Sequence, residues 1–145
     1  MELANDIRDL AESVIDEKAR HSHLRTKKDK IIYFYDDKPR KWIGRVIKRS
    51  KIDQLLHGIE VAMLICKPLW DELTDEQKKC VVDHELCHIE ENEKTGETKI
   101  IDHDLQEFYC IVNDYGLIMP DVERMAQAFE NARRDEVTED AQERT

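Results

Sequence analysis

The chain has 145 residues, a length that fits one folding domain built around a single hydrophobic core. Its 33 acidic residues outnumber its 23 basic ones, giving a formal net charge of −10. This charge opposes nonspecific binding to phosphates, so a nucleic-acid partner is not expected. The region rich in lysine and arginine runs from residue 25 to residue 51. Its pattern is more typical of lysine-guarded strand edges than of a nucleic-acid surface.

No apolar run approaches the roughly 20 residues needed to cross a bilayer, and the first residues lack the positive flank and apolar core of a signal peptide. We therefore expect a cytoplasmic protein with no membrane partner. The cysteines do not form close C-x-x-C pairs, which predicts free thiols rather than a four-cysteine zinc site; they are Cys66, Cys80, Cys87 and Cys110.

The first third of the chain predicts one helix and two strands. Apolar residues recur at helical spacing over residues 3–20. His21 and His23 follow, and two histidines at a helix end are a weak metal signal, so they are predicted to lie on the surface. The segments "IIYFYDD" and "KWIGRVIKR" have strand composition, and "DDKPR" has the turn chemistry of a hairpin between them.

The middle of the chain predicts a third strand, "IEVAMLIC", whereas the pattern of "SKIDQLLHG" does not decide between states. The apolar strand has no lysine or proline guard. We therefore predict that Ile59–Cys66 is a sheet edge that pairs with a bound peptide beside the site; the alternative, equally compatible with the sequence, is a central strand paired on both sides.

Three helices are predicted in the second half. Thr74 and Gln77 form a capping-box pattern for a helix that runs to about Asn92. A second stripe over residues 105–112 is closed by Gly116, and a last helix covers residues 122–129 after Pro120. Residues 135–145 have the composition of an acidic, disordered tail, which leaves residues 1–134 as the domain.

Within the first of these helices, His84, Glu85 and His88 form an H-E-x-x-H pattern. On a helix the two histidines lie about 40° apart and can reach one ion. A helical wheel places both at the edge of the buried face and points Asp83 away from it. A carboxylate beside the first histidine is what a metallopeptidase needs as its general base. The pattern predicts a Zn²⁺ site held by His84 and His88, with Glu85 as the catalytic residue.

A third protein ligand is expected, because catalytic zinc sites usually have three protein ligands and one open position. His103 is favoured. It lies 15 residues after His88, beyond a polar loop in which Gly96 permits a tight reversal. Glu107, 19 residues after His88, is the alternative ligand, or a carboxylate that orients a ligand imidazole.

The combination of "DHELCHI", a short acidic loop and "DHDLQEFYCIVNDYG" resembles the family described as "putative phage metallopeptidase" and, more distantly, SprT-type minimal zincins. The resemblance covers about residues 30 to 118. It implies a small zincin-like domain in which His84, His88 and His103 hold zinc and Glu85 is the base. Asp104 after the third histidine, and the lack of a recognisable DNA-binding extension, distinguish the chain from SprT-type proteins.

These patterns together predict an α+β fold. It has an N-terminal helix, a three-stranded, mainly antiparallel sheet, the active-site helix and two C-terminal helices. The expected function is zinc-dependent hydrolysis of a peptide or protein substrate in the cytoplasm of a bacterium or a phage-infected host. The alternative is a zinc-stabilised, non-catalytic module that binds a host protein. A nucleic-acid-associated protease is a weaker third hypothesis, and the sequence does not specify an oligomeric state.

Overall fold

The computed structural model describes residues 1–101 and 109–116. The chain divides into two compact units, Met1–His103 and Asp104–Thr145. The helices and strands of the first unit are, in chain order, β1 (Glu2–Leu3), α1 (Asn5–Glu17), two 3₁₀ helices (Ala19–Leu24 and Lys28–Lys30), β2 (Ile31–Asp36), β3 (Gly44–Lys48), α2 (Lys51–His57), β4 (Val61–Cys66), α3 (Lys67–Trp70), α4 (Asp75–Cys87), β5 (Ile89–Glu91) and β6 (Thr98–Ile100). This confirms the predicted α+β class.

The main sheet has four strands in the order β1-β2-β4-β3. β1 is antiparallel to β2, β2 is parallel to β4, and β4 is antiparallel to β3. The predicted three-stranded, mainly antiparallel sheet is therefore wrong in strand number and in the direction of its central pair. The predicted hairpin between β2 and β3 is also wrong, because β4 lies between them and Leu64 is opposite Phe34 on one side and Arg45 on the other.

β4 is the central strand, so the prediction that Ile59–Cys66 forms the sheet edge is wrong. Its continuous apolar run suits a strand with partners on both sides and little exposed surface. The edge strand beside β4 is β3, whose cations Arg45 and Lys48 are exposed.

The core lies between the sheet and the two long helices α1 and α4, which also contact each other. Each element contributes fully or almost fully buried apolar side chains; examples are Ile7, Val14 and Ile15 from α1, Tyr33, Met63 and Ile65 from the sheet, and Val82 and Leu86 from α4. α1 begins later than predicted because Glu2 and Leu3 pair with β2 as a short strand.

The capping box that opens α4 is confirmed. The Gln77 amide donates to Thr74 Oγ1 at 3.2 Å, and the Thr74 amide donates to Gln77 Oε1 at 3.0 Å. The helix ends at Cys87 rather than near Asn92. The chain then forms a β5–β6 hairpin, whose turn contains Gly96 at φ 70°, the reversal expected at that residue.

The undecided segment before β4 is helix α2. Ser50 caps its start by accepting from the Asp53 amide, and Gly58 ends it at φ 70°. The side chains of Ile52, Leu55 and Leu56 on this helix are exposed.

The second unit contains the described helix α5 (Tyr109–Tyr115), followed by Gly116 at φ 70°, as predicted for its end. The predicted helix start at residue 105, the last helix at 122–129 and the tail at 135–145 lie outside the described residues. No disulfide joins the four cysteines, which all lie among the described residues, in agreement with the predicted thiols. No helix in the two described ranges has the length and apolar character needed to cross a membrane.

Candidate metal centre

Three side chains from the last turns of α4 converge on one point. His84, Glu85 and His88 each place a ligand atom so that all three atoms lie within 4.8 Å of one another. The two imidazole rings have centroids 5.2 Å apart at an interplanar angle of 64°, and His84 Nε2 lies 3.9 Å from Glu85 Oε1. The two imidazoles are donors that suit a borderline-soft divalent ion such as zinc, and the carboxylate lies close enough to act on a ligand of that ion.

The orientation of the His88 ring is fixed by the backbone of the returning hairpin. His88 Nδ1 lies 2.6 Å from the Ile101 carbonyl oxygen, which can only accept, so Nδ1 carries the proton. The Ile101 amide in turn donates to the His88 carbonyl at 2.8 Å. In a neutral imidazole with this tautomer, Nε2 is the nitrogen that can bind a metal, the arrangement typical of metal-binding histidines.

Glu85 is buried at 6% relative exposure, and its carboxylate lies against the edge strand. A Cβ atom built on Gly44, the first residue of β3, would lie 2.9 Å from Glu85 Cγ and 3.0 Å from both Cδ and Oε1. Real Cβ atoms do not approach other heavy atoms so closely, so a side chain at residue 44 requires Glu85 to move. The glycine therefore provides the space in which the carboxylate lies.

Asp83 anchors the opposite side of the same helix turn. Its carboxylate is fully buried and accepts from Arg20 through Nε at 3.1 Å and Nη2 at 2.7 Å, and from His21 Nε2 at 2.6 Å. Burial by itself would raise the pKa of this carboxyl, but the hydrogen bonds and charges of His21 and Arg20 outweigh it and lower the pKa to about 2. Asp83 therefore stays ionised and fixes the rotation of α4 against the segment after α1.

The buried contacts of Asp83 show that two predictions from the sequence are wrong. Asp83 points into the protein rather than away from it, and His21 is buried rather than on the surface. His23 is also largely covered, with its side chain 16% exposed and Nε2 donating to the Ile89 carbonyl at 2.8 Å.

A second group of possible ligands, His21, Asp83 and Cys87, also lies within 4.8 Å. Both oxygens of Asp83 already accept hydrogen bonds there, and the Arg20 guanidinium would repel a cation. We interpret this second group as an ionic anchor. His103 and Glu107 lie outside the described residues, so the choice of third ligand stays a prediction.

The sequence model of the family described as "putative phage metallopeptidase" matches residues 1–130 of this chain. The chain belongs to this family. No curated protein and no solved structure matches it. A metallopeptidase family implies a metal cofactor and a peptide or protein substrate.

Sequence reasoning about this member of the family missed the roles of four residues around the histidines. Gly44 could have been found, since a glycine inside a strand pattern often marks a close approach of another group. Ile101 gave no signal because it contributes only backbone atoms. Arg20 and His21 could not be paired with Asp83 from local spacing, because they lie 63 and 62 residues earlier.

Proposed function

We propose that this chain is a zinc-dependent metallopeptidase that hydrolyses peptide bonds inside a bacterial host, with Glu85 as general base. The observation that carries the proposal is the convergence of His84, Glu85 and His88 within 4.8 Å at the end of α4. Membership of the family supports the peptidase class and the phage association.

His84 and His88 would hold the ion, and His88 is already presented in the correct tautomer by its hydrogen bond to Ile101. Zinc, when bound, lowers the pKa of a water molecule and polarises a carbonyl group. Glu85 takes the proton from the attacking water and returns it to the leaving amine. The small exposed fraction of Glu85 strengthens the electrostatic effect of its carboxylate by excluding water.

We propose His103 as the third ligand. It follows Ile101, whose carbonyl contacts the His88 ring, by two residues, and two residues span at most about 7 Å. Glu107 lies four residues further along the chain. The shorter connection from Ile101 thus favours His103 as the ligand. Glu107 is left with the role of orienting a ligand imidazole.

The substrate would lie along β3 rather than along β4. β3 pairs with β4 on one side, no described strand is hydrogen-bonded to its other side, and β6 of the hairpin contacts it. Its first residue, Gly44, is next to the Glu85 carboxylate. An extended peptide that adds to this edge through main-chain hydrogen bonds would bring a peptide bond to the proposed base.

Metal content tests the ligand set. Wild-type protein purified without added metal is expected to contain one zinc per chain by mass spectrometry. His84→Ala and His103→Ala are expected to reduce zinc retention at least tenfold, because each removes a ligand, whereas Glu107→Ala should reduce it less. A wild-type protein that contains no metal and is not stabilised by added zinc would contradict the proposal. A greater loss of zinc from Glu107→Ala than from His103→Ala would identify Glu107 as the ligand.

Gly44→Ala tests the position of Glu85. The added methyl group is expected to displace the carboxylate and lower turnover by roughly ten- to a hundredfold without changing zinc content. Peptide hydrolysis and metal analysis of the same sample measure both effects. In a Glu85→Gln background the alanine should cause no further loss, because the group it displaces no longer acts as a base. Wild-type turnover in Gly44→Ala would show that Glu85 does not need this space.

A further inference from the structure

The edge strand and the chain on either side of it have a charge opposite to that of the whole protein. Between residues 38 and 51 there are seven lysines and arginines and no aspartate or glutamate, in a chain of net charge −10. We call these seven residues the basic edge; they are Lys38, Arg40, Lys41, Arg45, Lys48, Arg49 and Lys51.

Among the described residues, most of the basic edge has no ion-pair partner. Arg40 pairs with Asp36 at 2.9 Å and Arg49 pairs with Asp53 at 2.8 Å. Across the described part of the chain, no carboxylate lies within 4.0 Å of the other five cations, and all five are exposed. Five unpaired cations beside one strand produce a local positive potential that favours an anionic partner.

One of these five cations is held in place by an aromatic ring. The guanidinium carbons of Arg40 and Arg45 each lie 5.8 Å from the centroid of the half-buried Trp42 ring. A cation–π contact of this kind restricts the long arginine side chain, and Arg45 remains exposed to solvent. Arg45 therefore presents a fork of donors that matches a carboxylate.

Arg45 is also the basic-edge residue next in sequence to Gly44, the position that lies against the proposed base. Gly44 lies against Glu85, and each residue of an extended strand advances about 3.3 Å. Because successive side chains alternate between the faces of a sheet, Arg45 points to the face opposite Glu85. A peptide paired with β3 would place alternate side chains on that same face, within one or two residues of the bond at Glu85.

We propose that this site selects acidic polypeptide segments, in which an aspartate or glutamate within about two residues of the cleaved bond pairs with Arg45. This inference rests on the proposed peptidase function. A peptide is favoured over a nucleic acid because the unpaired side of β3 offers main-chain donors and acceptors at strand spacing, which a peptide backbone matches. Ile47, on the same face as Arg45 and 39% exposed, adds an apolar contact suited to a polypeptide side chain.

Binding of matched peptides to the non-hydrolysing Glu85→Gln protein tests the proposal. The probes are three fluorescein-labelled peptides on one alanine–glycine scaffold, carrying glutamate, glutamine or lysine at the same positions. We expect the glutamate peptide to bind about fivefold more tightly than the glutamine peptide at low salt, and the difference to shrink as salt rises. The lysine peptide should bind most weakly.

Charge reversal at one position identifies the contact. Arg45→Glu in the same background is expected to invert the order, so that the lysine peptide binds best. Lys94→Glu is the matched control, because it makes the same charge change in the exposed turn of the β5–β6 hairpin and should keep the original order. Equal binding of glutamate and glutamine peptides, or an order unchanged by Arg45→Glu, would overturn the proposal.

Two further measurements separate this inference from the function on which it rests. Wild-type protein that cleaves glutamate and glutamine peptides equally well would keep the peptidase and overturn the acidic preference. Wild-type protein that cleaves neither, yet binds the glutamate peptide through Arg45, would keep the preference of the basic edge for acidic peptides and overturn the peptidase function. A labelled single-stranded oligonucleotide that binds more tightly than the glutamate peptide, and is lost in Arg45→Glu, would assign the basic edge to nucleic acid instead.

Discussion

Replacing Glu85 with glutamine is expected to lower peptide hydrolysis about a thousandfold while leaving zinc content and melting temperature unchanged. The amide has the shape of the carboxylate and fits the space beside Gly44, but it cannot accept the proton of the attacking water. Turnover of a mixture of fluorescence-quenched peptides, metal analysis and thermal unfolding of the same preparation measure the three properties together.

Glu76→Gln is the matched control for this variant. Glu76 is exposed in the first turn of the same helix, so its change removes the same charge without reaching the site. It should retain wild-type turnover. Undiminished hydrolysis by Glu85→Gln would show that this glutamate is not the base. If the variant instead kept every effect on a host cell while losing hydrolysis, the non-catalytic binding module would become the better account.

Asp83→Asn is expected to reduce the free energy of unfolding by about 3 kcal/mol at neutral pH. The change leaves Arg20 and His21 facing an uncharged group in a fully buried position. Because Asp83 immediately precedes His84, the variant should also weaken zinc retention by loosening the rotation of α4. Urea unfolding of metal-free protein measures the stability, and metal analysis measures the retention.

Lowering the pH should reduce the difference in the free energy of unfolding between wild type and Asp83→Asn. The folded-state pKa of Asp83 is about 2 and its ordinary value is 3.8, so the ionised carboxylate stabilises the fold above about pH 4. That contribution, on the order of 2 kcal/mol, is lost as pH falls from about 4 through 2. Wild type and Asp83→Asn should therefore approach each other in stability over this range.

Asp9→Asn provides the comparison with an exposed ion pair. Asp9 lies 3.3 Å from Arg8 on α1, and its side chain is 71% exposed. Its loss should cost less than about 0.5 kcal/mol, because solvent screens the pair. An Asp83→Asn variant as stable as Asp9→Asn would show that the buried anchor does not hold α4.

The features of the site that sequence reasoning predicted depend on residues close together in the chain. The capping box at Thr74 and the four-residue spacing of His84 and His88 follow from the geometry of a single helix. The turn at Gly96 likewise depends on local backbone freedom.

The features that sequence reasoning missed depend on residues that are far apart in the chain. A helical wheel assigned Asp83 to solvent from its angular position alone, and its partners enter from a segment more than 60 residues away. The prediction of the strand order was wrong for a similar reason. A run without charged residues is equally compatible with an edge or a centre until its neighbours are known, and the parallel pairing of β2 with β4 depends on segments separated by β3 and α2.

The central position of β4 has a consequence for the order in which the molecule can assemble. β3 joins the sheet only through β4, which comes after it in the chain. A growing or refolding chain that lacks Val61–Cys66 cannot hold Gly44 at the sheet edge, even with every earlier residue in place. Such non-local pairing is slow compared with helix formation, so α4 and its histidines can form before the strand that lies against Glu85. The proposed peptidase site would therefore be one of the last parts of the protein to become complete.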